Sequence, residues 1–281
     1  VIELSDGSLV AVGQSVENTP VFDSNILLMK TDADGNQEWL HQYGGSLLDF
    51  GTDLCETPDG GVVFTGSSRS FSQWGDQDIF IQKTDKDGIY QWMKNYGGEM
   101  EEIPFQVEAL EDGNLVIGGV TNSLGNGGYD LYFKKLDSEG EEIWSQNYGG
   151  TVGEWGGNFT ILEDGFLLTG STFSYSVDSD VYLVRTDEDG NLIWFETHGS
   201  DDRLELGVWV EKTNDEGFIL TAQSRIDHPS GQILSSNFFV LKTDPEGNVS
   251  TKTIHGKVYF DENTSCELDG NEQGLGGWLI E

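Results

Sequence analysis

The sequence predicts an all-β fold, a β-propeller of about five four-stranded blades, and three observations predict it. A segment closing on tryptophan recurs as KTDADGNQEW (Lys30–Trp39), KTDKDGIYQW (Lys83–Trp92), KLDSEGEEIW (Lys135–Trp144) and RTDEDGNLIW (Arg185–Trp194). A fifth copy, from Lys242, has Thr251 where the tryptophan would stand. In phase with it runs a second segment: DGSLVAVG from Asp6, DGGVVFTG from Asp59, DGNLVIGG from Asp112, DGFLLTG from Asp164 and the weaker DEGFILTA from Asp215. The third is Tyr-Gly-Gly at Tyr43, Tyr96 and Tyr148, decaying to His198-Gly199-Ser200. The tryptophans lie 53, 52 and 50 residues apart, a fixed period that marks a repeat architecture.

Each unit carries four short apolar, β-branched or aromatic runs bounded by Gly, Asp and Asn. In the third unit they are Phe105–Leu110, Leu115–Gly119, Leu131–Leu136 and Glu142–Asn147. Runs of that length with those punctuators read as strands. Asp-Gly between the first two is a hairpin signal, because glycine tolerates the positive φ such turns need. Asp-x-Asp/Glu-Gly between the third and fourth works as a slightly longer loop. No stretch has the 3.6-residue period of an amphipathic helix. Four-stranded meanders repeated five times describe a propeller, whereas separate immunoglobulin-like domains need about 100 residues each. The predicted blades span 1–45, 46–98, 99–150, 151–200 and 201–253. Val1–Leu4 reads as part of a first strand and Asn248–Ile254 as a degenerate last one, so a strand upstream of Val1 is expected to close the ring beside blade five.

Charge narrows the partners. The 281 residues hold 14 Lys+Arg against 50 Asp+Glu, a formal charge of −36. Nucleic-acid affinity comes mostly from basic residues neutralising phosphates, so no nucleic-acid partner is expected. Anionic membrane surfaces are disfavoured on the same ground, and no run of about 18 apolar residues would insert in a bilayer. Cys55 and Cys266 lie in different units and set no disulfide framework. The propeller is expected to be monomeric.

The DGG-x-x-x-x-G strand, the K-T-D-x-x-G-x-x-x-W turn and the Y-G-G that follows resemble the repeats of large secreted surface proteins of Bacteroidota-type bacteria, many exported by the type IX route. The resemblance covers about nine-tenths of the chain and implies an exported, cell-surface protein that meets secretion machinery. The Gly-x-x-x-Trp spacing, as from Gly35 to Trp39, is similar to the tryptophan-docking motif of quinoprotein-type propellers, with the Asp-to-Gly loop one residue shorter. From Ile254 the character changes, and residues 254–281 resemble the opening of a B-type, immunoglobulin-like repeat domain of bacterial adhesins. The matching residues include Gly256, Val258, Phe260, Asp261, Asn263 and Gly277.

That segment contains a loop with metal-ligand spacing. Asp261, Asn263, Ser265, Glu267, Asp269 and Glu272 fall at positions 1, 3, 5, 7, 9 and 12 of a twelve-residue calcium loop. Cys266 stands where glycine usually makes the sharp turn. Calcium is the expected cofactor, and no organic cofactor is expected.

Two further sets of residues are candidates. Asp49, Glu102, Glu154 and Glu205 each begin an innermost strand, where they form either a cation-holding ring at one channel mouth or acceptors for the preceding Gly-Gly turn; the second reading is preferred. The Asp-x-Asp-Gly turns are read as turn residues rather than weak cation sites. The loops between second and third strands vary most and carry Phe71, Trp74, Phe173 and Tyr175, suited to contact a glycan or protein ligand. No nucleophile elbow, H-E-x-x-H or phosphate-cradling loop occurs, and the four histidines occupy non-equivalent places. The expected function is therefore a non-catalytic extracellular binding or display module. The alternatives are a propeller enzyme, hydrolytic or quinoprotein-like, using the channel mouth, and a structural spacer in a larger secreted protein.

Overall fold

A computed structural model describes residues 1–17, 23–200, 203–227 and 233–249. The segment 254–281, with the calcium-type loop and Cys266, lies outside the described residues, as does most of the expected last strand of blade five. The described strands form five antiparallel sheets. The first holds β1 (Ile2–Glu3), β2 (Leu9–Glu17), β3 (Asp23–Thr31) and β4 (Gln37–Tyr43). The second holds β5 (Asp49–Glu56), β6 (Val62–Ser68), β7 (Asp78–Thr84) and β8 (Tyr90–Tyr96). The third comprises β9 (Glu102–Ala109), β10 (Leu115–Thr121), β11 (Asp130–Leu136) and β12 (Glu142–Tyr148). The fourth comprises β13 (Glu154–Leu162), β14 (Gly165–Thr172), β15 (Asp180–Thr186) and β16 (Leu192–His198). The fifth has β17 (Leu204–Lys212), β18 (Phe218–Asp227) and β19 (Ile233–Thr243). Each is a meander in chain order, as hairpin-linked strands require.

Blades meet face to face through their middle strands, which are buried on both sides. Every residue of β6, β7, β10 and β14 is buried. Between the third and fourth blades Val116, Phe133, Phe159, Phe166 and Leu168 form one cluster, with Phe133 edge-on to Phe159 and Phe166 at 5.0 and 4.9 Å. Each such side chain contributes about 1.5–3 kcal/mol on burial.

The repeated motifs turn out to be inter-blade clasps. The tryptophan of each fourth strand lies on the glycine of the next blade's Asp-x-x-Gly turn: a Cβ at Gly140 would stand 2.8 Å from Trp92, one at Gly190 2.8 Å from Trp144, and one at Gly247 2.7 Å from Trp194. The tyrosine of Tyr-Gly-Gly donates to the same glycine's carbonyl, Tyr43 to Gly88 at 2.9 Å and Tyr148 to Gly190 at 2.6 Å. His198, standing where the tyrosine has decayed, keeps the contact through Nε2 to Gly247 O at 2.9 Å. The first Asp of each turn is occupied by the turn itself: Asp32 accepts from Asp34 N, Asn36 N and Asn36 Nδ2. In blades one, two, four and five the basic residue ending the third strand pairs with the hairpin Asp of its own blade, as in Lys83–Asp59 at 2.6 Å and Lys242–Asp215 at 2.8 Å.

First strands carry a bulge at one repeated position. Pairing slips at Thr52, Phe105, Gly157 and Val208, leaving each outside the ladder. A bulge bends the strand and re-aims its side chains. The residue after it stitches to the next blade: Asp53 accepts from Val107 N at 2.9 Å and Gln106 from Phe159 N at 2.8 Å.

Candidate functional site at the channel mouth

First strands begin, second strands end and third strands begin on one face, so all three junctions converge on the same mouth. The four repeated carboxylates lie there. Asp49, Glu102, Glu154 and Glu205 are buried to 0, 1, 1 and 5% exposure, and each turns to its own blade and turn. Asp49 accepts from Gly45 N at 2.8 Å and from Ser68 and Ser70 hydroxyls. Glu102 accepts from Gly98 N at 2.7 Å and Thr121 Oγ1 at 2.6 Å. Glu154 takes Gly150 N at 3.0 Å and Thr172 Oγ1 at 2.7 Å, and Glu205 takes Ser200 Oγ at 3.1 Å. Acceptors saturated in this way hold the Gly-Gly turn against the sheet. Among the described residues no group of three or more acidic, His or Cys side chains is arranged to hold a metal ion.

One of these carboxyls has an acidic neighbour in the preceding blade. A Cβ at Gly149 would lie 2.0 Å from Asp130 Oδ1 and 2.2 Å from Glu154 Oε2, so the two oxygens flank one glycine. Asp130 Oδ1 has no other donor, and burial, with the Glu154 carboxyl beside it, raises the Asp130 pKa to about 6. The folded chain therefore holds a proton that the unfolded chain releases near pH 4, and its stability falls as pH rises from about 4 to about 6. In Asp130→Asn the part of this downward slope that Asp130 carries should be lost, so the slope should be shallower than the parent's, and the variant should melt higher than the parent above about pH 6. Melting temperature against pH reads this; parallel curves for the two proteins would show that the pair holds no extra proton.

The loop aromatics divide. Phe71 stacks on Phe80 at 5.5 Å, and Tyr175 packs on Phe195 at 4.9 Å and Tyr182 at 5.7 Å, so both are partly spent on their own blades. Trp74 is 58% and Phe173 41% exposed.

Sequence reasoning missed a connected row of side chains at the mouth, made of residues that do not repeat. One repeat position at the rim holds Arg69, Asn122, Phe173 and Arg225 in blades two to five, just past the second strand in the first three and within β18 in the last. Leu48, Glu101 and Gly153 stand before the first strands of blades two to four and Leu204 opens that of blade five, while Gln77, Tyr129 and Ser179 stand before the third strands of blades two to four and Ser24 lies near the start of that of blade one. Arg69 pairs with Glu101 at 3.6 Å. Tyr129 donates its hydroxyl to Glu101 Oε2 at 2.6 Å. Tyr129 then meets Trp155 edge-on at 5.1 Å, and Trp155 meets the bulge residue Phe105 at 5.6 Å. Glu101 and Arg69 are each more than one-third exposed and Trp155 is 43% exposed, so the row faces solvent. Burial and the Glu101 charge raise the Tyr129 hydroxyl to about 12, which keeps its proton at neutral pH. A carboxylate that accepts, a phenol that donates, a guanidinium and an aromatic floor are thus contiguous across blades two to four. The signal for them is irregularity: they are what remains when the repeat is subtracted.

No protein family matches the sequence, and no curated protein is recognisably similar to it. Solved structures are. A polysaccharide lyase of family 25, an ulvan lyase solved with a bound -[GlcA(1-4)Rha3S]- fragment, matches with a TM-score of 0.53 at 11% identity, over 89% of this chain and 67% of that one. A thermostable family-43 glycoside hydrolase matches at 0.45 and 11%, over 90% and 97%. The periplasmic gluconolactonase of Pseudomonas aeruginosa matches at 0.48 and 13%, over 88% and 81%. At such identities the likeness shows the fold: the chain is a β-propeller.

The expectation of a non-catalytic binding or display module is corrected by the first of these matches, whose propeller is that of a polysaccharide lyase. The expectation rested on carboxylates that repeat evenly. Those residues do hold the blades, but they say nothing of the unrepeated ones at the mouth. Among the described residues no helix is long and apolar enough to cross a membrane.

Proposed function

We propose that the chain is a propeller enzyme that cleaves a polysaccharide at the mouth where Arg69, Glu101, Tyr129 and Trp155 meet. The observation that carries the reading is the 2.6 Å bond between a solvent-facing carboxylate and a phenol that stays protonated. Glu101 is the proton acceptor and Tyr129 the donor, and their bond returns the proton after each turnover. General acid–base help of this kind needs both groups within hydrogen-bond reach of the reacting atoms. Trp155 offers exposed aromatic surface to a sugar, with Phe105 standing edge-on beside it, Phe173 on the rim and Trp74 on its loop. Polysaccharide as the substrate class is supported by the printed names of the similar propellers, among them the ulvan lyase and exo-β-1,3-galactanases. Placement outside the cell is supported by the resemblance of the repeats to those of secreted Bacteroidota proteins.

Incubating the chain with a panel of neutral and acidic polysaccharides and measuring new chain ends tests the reading. Cleavage that stops in Glu101→Gln is expected; cleavage unaffected by that change, or none with any polymer, would sink it.

A further inference from the structure

We infer that the mouth cuts a carboxylated polysaccharide, one containing uronic acid, by elimination rather than hydrolysis. The inference rests on the enzymatic reading above and specifies its substrate class and reaction. Its first ground is a distance. The paired carboxyls of glycosidases stand about 5–5.5 Å apart when they retain configuration and about 6.5–9.5 Å apart when they invert it, the wider gap admitting water. Glu101 and Tyr129 are bonded at 2.6 Å, so acceptor and donor address the same side of a bound sugar. That arrangement suits removing a proton and protonating a leaving oxygen on one face.

The second ground is the guanidinium on the acceptor. Arg69 lies 3.6 Å from Glu101, at the point where a sugar carboxylate would meet the proton acceptor. A guanidinium fork matches a carboxylate with two parallel N–H donors. Neutralising that carboxylate acidifies the hydrogen on the neighbouring carbon and holds the charge that develops as it leaves.

The third ground is how basic residues are sorted. The chain has four arginines, and three of them, Arg69, Arg203 and Arg225, stand at mouth-side strand ends, Arg69 and Arg225 in equivalent positions of blades two and five. Among the described residues the lysines end third strands, sit at the far turns, or pair with Glu141 and Glu142 beside those turns. Arginine is thus concentrated on the face where the row lies, in a chain of charge −36.

The step balances without a co-reactant. Glu101 takes the hydrogen from the carbon bearing the carboxylate, and that electron pair forms a C=C bond. The bond from the next carbon to the glycosidic oxygen breaks, and this oxygen gains the Tyr129 proton. The proton on Glu101 then crosses to the Tyr129 oxygen, restoring both groups.

The full chain would be incubated with polygalacturonate, alginate and hyaluronan, with carboxyl-reduced polygalacturonate, with dextran sulfate and with a neutral β-1,3-galactan, scoring unsaturated ends by ultraviolet absorbance and reducing ends chemically. Unsaturated ends from at least one uronate polymer, and none from the reduced, sulfated or neutral polymers, is the expected result. Arg69→Ala should lower that rate by about 10²–10³-fold at unchanged melting temperature, and Arg69→Lys should recover part of it. Reducing ends without unsaturation, on neutral or reduced polymer, would overturn elimination and leave the enzymatic reading standing. Cleavage of dextran sulfate alone would overturn the carboxylate assignment, and cleavage of nothing would overturn both readings.

Discussion

Glu101→Gln is expected to lower turnover of the cleaved polysaccharide by about 10²–10⁴-fold, the range over which a positioned acid–base group acts. The amide keeps the size of the side chain and can still accept from Tyr129, so geometry at the mouth is preserved while basicity is lost. Stability should barely move. Glu101 is part-exposed and its ion pair with Arg69 spans 3.6 Å, a class of contact that contributes about 0–1 kcal/mol. Tyr129→Phe should cost turnover comparably, because the apolar edge against Trp155 survives and only the hydroxyl proton is lost. Steady-state kinetics beside thermal melting separate the cases. If both variants turn over at the parent rate, the Glu101–Tyr129 couple is not the chemical site.

The largest structural effect is expected at Gly118. Blades two, four and five carry threonine at this repeat position, Thr65, Thr169 and Thr221, so restoring the repeat by Gly118→Thr looks like an improvement. The structure predicts the reverse. A Cβ at Gly118 would lie 1.9 Å from Gly157 O and 2.8 Å from Phe159 Cδ1 of the next blade. Gly157 is the bulge residue of β13 and has a φ of 118°, so its backbone is held by the ladder on either side and cannot swing away. Overpacking usually costs about 1–3 kcal/mol, and a contact against backbone belongs at the top of that range. Gly118→Thr should therefore melt well below the parent, with Gly118→Ala between them. A melting temperature at or above the parent's would mean that blades three and four can separate there at no cost.

How much was legible beforehand differs between scaffold and site. Strand number, order and spacing were readable, because each blade repeats the same local instructions: apolar runs, Asp-Gly turns, and a tryptophan in fixed phase. Boundaries were less so. In the third unit the apolar run starts only at Phe105 although the strand runs from Glu102, the repeated carboxylate that marks its start, because Pro104 and the bulge at Phe105 break the alternation that marks a strand. The tyrosine of Tyr-Gly-Gly could be seen to recur, but its bond to the next blade's turn joins residues more than 40 positions apart and has no local signature.

The mouth was the least legible part. Phe71, Trp74, Phe173 and Tyr175 were singled out as unrepeated aromatics in variable loops, and two of the four stack on their own blades. Arg69, Glu101, Tyr129 and Trp155 look like scattered noise around a consensus, each in a different segment. They become one row because adjacent blades bring a rim position, a strand start and a third-strand start to the same edge.

The sequence by itself therefore determined that this protein is a β-propeller and where its turns lie, since hairpin chemistry and hydrophobic alternation act over a few residues and are repeated five times. Tertiary structure alone decided which departures from the repeat stand together at the mouth. Their contacts cross blade boundaries, and the energy that assembles them comes from burial of the blade faces rather than from the residues that meet.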